Sequence, residues 1–140
     1  NLETLVDYSS KSIKATISTT IQNTNALNIP DLINKCQTIK GKKMSFFFIP
    51  VVGVSTLDLT PKHIIQEGID KIESMSMSDD TIPPDLLANY YAALTKPIDE
   101  VKLIKYFEEQ KMFDIKRNQN LFDTVPYFTS LADEYDIEKW

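Results

Sequence analysis

With 140 residues, 42% of them hydrophobic and 25% charged, the chain has the size and composition of one globular domain that can bury a single core. A net charge of −5 argues against broad binding to nucleic-acid phosphates, and one cysteine excludes an intramolecular disulfide. Three glycines leave few sites for positive-φ turns, which favours helices over a many-stranded β fold.

There is no Asn-x-Ser/Thr acceptor site, no signal-peptide pattern, and no uninterrupted apolar stretch of the ~18 residues that a membrane helix needs. The expectation is a soluble, cytoplasmic protein with no membrane partner.

Residues 2–22 admit two readings. Leu2, Leu5, Val6, Ile13, Ile17 and Ile21 approximate a helical stripe, while Ile13 to Ile21 alternate as a β-branched strand would. Helix is the expectation, with the strand kept as the alternative. If it is a strand, the order strand–helix–strand–strand–helix would open a ferredoxin-like split βαβ unit. A clearer helix follows from Asn28 and Pro30, with Leu32, Ile33, Cys36 and Ile39 on one face and Gly41 closing it. Cys36 sits on that apolar face and is expected as a core residue.

Lys40–Pro61 contains the longest apolar run. Met44–Ile49 has the length and character of a buried strand, and Ser55–Leu59 alternates as a second one. Together they suggest a small two-stranded β element at about 43–59, turning near Pro50 to Gly53 and lying as a seam between two groups of helices. Thr60–Pro61 signals a helix start, with Ile65, Gly68, Ile69, Ile72 and Met75 facing inward.

Past a polar connector at 74–80, Pro83–Pro84–Asp85 opens a helix with Leu86, Leu87, Tyr90, Tyr91 and Leu94 on its apolar side. Asp99–Glu100 begin the next, carrying Ile98, Val101, Ile104, Tyr106 and Phe107 to about Lys111, and a polar link runs to Asn120. Asp123 or Thr124 would cap a last helix containing Phe128, Leu131, Ala132 and Tyr135. The predicted fold is α+β and predominantly helical, five to six helices around the β element. It forms one domain over 1–140, with a β-containing first part (1–78) and a helical, aromatic-rich second part (81–140).

The chemistry-bearing residues are sparse. His63 is the lone histidine, which removes most metal and triad arrangements; with Asp58 or Glu67 it defines a minor reading as a small enzyme. Asp99–Glu100 and Glu108–Glu109 alternate with lysines, the pattern of a solvated helix face. Lys40, Lys42 and Lys43 precede Phe46 and Phe48, a basic and aromatic pairing that supports a nucleic-acid-binding alternative, with Lys116 and Arg117 as a further basic point. The tail 133–140 carries Tyr135, Ile137 and Trp140, residue types enriched among interface anchors. No motif calls for a cofactor or a metal. The leading expectation is a non-catalytic protein–protein interaction or assembly domain, with a protein partner or self-association.

Overall fold

The alternation through Ile17, Thr19 and Ile21 folds as a strand, not as the helix expected over 2–22. In the computed structural model, which describes residues 16–37, 45–50, 53, 55–75 and 84–140, β1 spans Thr16–Ile21 and β2 spans Ser45–Pro50. The two pair in parallel, Thr16 opposite Ser45 through Ile21 opposite Pro50. Parallel neighbours need a crossover, and α1 (Asn28–Gln37) lies in the chain between them.

The hairpin expected at 43–59 therefore does not form. Its first half pairs with β1, and its second half is a 3-10 turn at Leu57–Leu59. The turn satisfies what a strand could not. Leu57 packs into one hydrophobic cluster and Leu59 into another. In a strand, residues two apart would point the same way. Among the described residues the split βαβ alternative reaches only its first βαβ step, and most of the stretch expected to supply its closing strand, 74–82, lies outside them.

The rest is predominantly helical. α2 spans Lys62–Ser74, α3 Pro84–Thr95, α4 Glu100–Arg117, α5 Leu121–Thr124 and α6 Tyr127–Glu134. Pro61, not Thr60, is the N-cap of α2, and its carbonyl accepts from Ile64 and Ile65. Asp99 caps α4 by accepting from the Lys102 N–H at 3.0 Å, and Asn118 ends it in the left-handed region at φ 51. Helix α4 runs to Arg117, beyond the expected end near Lys111, because Lys116, Arg117 and Asn118 supply good C-terminal chemistry.

The first cluster joins Ile21, Ala26, Ile29, Ile33 and Cys36 to Ile64, Ile65, Ile69 and Ile72 of α2 and to Leu86, Tyr90 and Ala93 of α3. The second gathers Leu59, Leu103, Tyr106, Phe107, Leu121, Val125, Phe128, Leu131 and Ala132. Each fully buried Ile, Leu or Phe contributes roughly 1.5–3 kcal/mol of transfer free energy, so these two groups dominate the stability of the fold. Tyr127 touches both and donates its hydroxyl to the Asn23 carbonyl. α3 packs on α2 so closely that a Cβ at Gly68 would sit 2.5 Å from Tyr90 Cε1.

Candidate functional site

Helix α4 carries apolar residues beyond its buried face. Leu103, Tyr106 and Phe107 enter the second cluster, as the helical period requires of residues three and four apart. Outside that face, Val101 is 79% exposed, Ile104 41%, Met112 56% and Ile115 72%, with Val101 and Met112 opposite it and Ile104 and Ile115 on its flank. The sequence pattern suggested Val101 and Ile104 as inward residues. The structure turns them out, because the bulkier Leu103–Tyr106–Phe107 set takes the core. Glu108 and Lys111 lie along the same outer stripe.

Beside this stripe runs a groove of about 390 Å³. Ile104, Phe107, Glu108 and Lys111 form its α4 wall, and the tail from Tyr135 to Trp140 forms the other. The tail is held by several contacts. Trp140 packs edge-on against Phe107 and Phe122, with centroids 6.2 and 4.9 Å away, and its indole N–H donates to Asp114 at 2.9 Å. The Asn120 amide donates to the Trp140 carbonyl at 2.6 Å, and the Ile137 N–H donates to the Ala132 carbonyl at 2.8 Å. Lys111 lies 5.8 Å over the Trp140 ring and 3.6 Å from Glu138.

A second constellation sits on the seam between the two clusters. Asp58 is buried in the 3-10 turn, and lysines from outside the turn reach it: Lys96 Nζ at 2.5 Å and Lys102 Nζ at 3.6 Å. Lys102 also donates to the Thr56 hydroxyl at 2.5 Å. Lys62 donates to the carbonyls of Ala93 (2.6 Å) and Lys96 (2.5 Å), closing the C-terminal end of α3. Burial pushes the Asp58 carboxyl up, but the hydrogen bonds from Lys96 and Thr56 and the charge of Lys102 outweigh it and leave a net lowering. Burial drives the Lys62 ammonium down, against the pull of Asp58. A cleft of about 180 Å³ opens here, lined by Ile21, Thr56, Asp58, Asn89, Ala93 and Lys96.

The residues expected to carry function are dispersed. Tyr135, Ile137 and Trp140 pack, half-buried, against the second cluster and at the same time line the groove. Lys40, Lys42 and Lys43 lie outside the described residues. Phe46 and Phe48 stand in β2, opposite Ile17 and Thr19. His63 is exposed in the first turn of α2, while the Asp58 carboxylate is engaged by Lys96 and Lys102. Lys116 and Arg117 are exposed at the end of α4, with the Arg117 guanidinium 5.1 Å over the Phe113 ring. Cys36 is buried in the first cluster, and burial pushes its thiol up.

Among the described residues, no group of three or more His, Cys, Asp or Glu side chains could hold a metal, and no helix is long and apolar enough to cross a membrane. Compared with protein-family models, curated proteins and solved structures, the chain shows no match.

Sequence reasoning missed the outer stripe of α4 and the lysines around Asp58. The stripe had a signal. Helix α4 places apolar residues at both 103–106–107 and 101–104–115, more than one buried face of an 18-residue helix accommodates.

Proposed function

We propose that this chain is a non-catalytic protein–protein interaction or assembly domain, and that its contact surface is the outer face of α4 with the adjoining groove. The observation that carries this reading is the exposed row Val101, Ile104, Met112 and Ile115 on a helix whose other face is already packed. Single exposed apolar residues are ordinary, but four of them along one side of a single helix mark a candidate interaction surface. Charged Glu108 and Lys111 within the row give it the mixed character of an interface that also exists free in water.

The tail contributes as the wall of the groove. Trp140, Tyr135 and Ile137 shape that wall from behind while Glu138 faces out. A partner would therefore meet α4 directly and the tail along its edge.

The test is the paired substitution Ile104→Ser and Ile115→Ser. Its association, with itself or with a purified partner, is compared with that of the unaltered chain by sedimentation, and far-UV circular dichroism checks the fold. About tenfold or greater weakening with an unchanged spectrum supports the reading. Association equal to that of the unaltered chain overturns it.

A further inference from the structure

The outer face of α4 is complementary to itself. Residues 101, 104, 108, 111 and 115 follow the three–four–three–four spacing of a helix–helix seam and read Val, Ile, Glu, Lys, Ile. The ends of the seam are apolar, and its centre holds one acid and one base a single turn apart. Met112 widens the apolar part on one side.

In an antiparallel pair, stepping up one helix is stepping down the other. The register that sets Glu108 opposite a second copy's Lys111 therefore also sets Ile104 opposite its Ile115. Two-fold symmetry repeats both contacts, giving two charge pairs flanked by two isoleucine pairs. A parallel pair would instead face Glu108 with Glu108 and Lys111 with Lys111, like against like.

We infer that a second copy of this chain docks antiparallel along α4, in the register that pairs Glu108 with Lys111. The inference rests on the interaction-domain reading and names its occupant. The apolar ends supply the attraction, and the charge pairs select direction and register, the role polar residues play at such seams. Lys111 lines the groove with Glu108, and its contact with Glu138 is a surface pair of small worth. Helix α4, 18 residues long, spans about 27 Å at 1.5 Å per residue, enough for the whole seam.

Charge exchange tests it. Glu108→Lys and Lys111→Glu, made singly, each place like charges in both pairs, and each should weaken self-association about tenfold or more. The double variant Glu108→Lys with Lys111→Glu restores opposite charges and should dimerise as the unaltered chain does. Mixing the two single variants should yield a one-to-one heterodimer by native mass spectrometry. Single variants that dimerise normally, or a mixture that forms no heterodimer, overturn the inference. So does an unaltered chain that stays monomeric at millimolar concentration. In that case the broader reading is judged separately: a purified heterologous partner whose complex is lost with Ile104→Ser and Ile115→Ser preserves it, and one whose complex is unaffected does not.

Discussion

Trp140 and Leu121 share one oxygen of Asp114. The indole N–H of Trp140 donates to Asp114 Oδ2 at 2.9 Å, and the backbone N–H of Leu121 donates to the same atom at 2.6 Å. One buried carboxylate thus ties the tail and the start of α5 to α4. The tail residues expected as partner-binding candidates pack against the second cluster and line the groove beside α4.

Trp140→Ala should therefore act first on stability. It removes the edge contacts to Phe107 and Phe122 and one bond to Asp114. Because Trp140 is only half-buried, the expected loss is about 2–3 kcal/mol, below the ~3–5 of a fully buried Trp→Ala change. Urea unfolding measures it. A loss within about 0.5 kcal/mol, the range of a plain surface substitution, would show that the tail is not packed as described.

The outer stripe should behave in the opposite way. Val101→Ser and Ile115→Ser remove well-exposed side chains from an otherwise intact helix, so each should change stability by no more than about 0.5 kcal/mol in the same assay. A loss of several kcal/mol would mean that these residues support the fold and would remove the argument that they await a partner.

Asp58 should give the protein part of its acid sensitivity. Its carboxyl titrates below its ordinary value of 3.8 in the folded state. The folded state therefore takes up this proton less readily than the unfolded chain does. The resulting stabilisation is complete above the unfolded value and is lost as pH falls through the lower, folded one. Asp58→Asn abolishes it and leaves Lys96 and Lys102 without their counter-charge. With Lys96 largely in solvent, the expected cost is about 1–2 kcal/mol at pH 7. Denaturation across pH should show that deficit shrinking once the pH falls below 3.8. A deficit that stays constant down to acid pH would contradict the lysine pairing.

At Gly68, close packing should outweigh helix propensity. Alanine is favoured over glycine by about 1 kcal/mol within a helix, yet a Cβ here would meet Tyr90 Cε1 at 2.5 Å. Tyr90 has little room to give way, because it is fully buried and donates its hydroxyl to the Ala26 carbonyl. Gly68→Ala should destabilise by about 1–3 kcal/mol, an overpacking penalty read as a lower melting temperature. A raised melting temperature would mean that α2 and α3 are further apart.

Much of this was legible in the sequence, and the failures share a cause. The apolar face of α2 through Ile65, Gly68, Ile69 and Ile72 was clear because one periodic stripe meets one partner. The seam role of the stretch before Pro61 was also visible in outline: Leu57 and Leu59 do divide between the two clusters. Its geometry was not. A 3-10 turn and an alternating strand share the same short pattern, and the choice was made by two cores lying on different sides. The strand at Thr16–Ile21 lost to a helical reading because its pairing partner is remote in sequence. In α4 the local pattern offered two apolar faces, and only packing volume shows which one the aromatic cluster takes. The two lysines at Asp58, Lys96 and Lys102, come from the stretch after α3 and from α4, a convergence that no spacing rule reports.

The most direct test of the account is a dilution series of the uniformly ¹⁵N-labelled chain followed by two-dimensional amide NMR. The account predicts concentration-dependent shifts centred on Val101, Ile104, Lys105, Glu108, Met112 and Ile115, with residues around the Asp58–Lys96 cleft unmoved. Shifts independent of concentration, or confined to that cleft, would contradict self-association along α4.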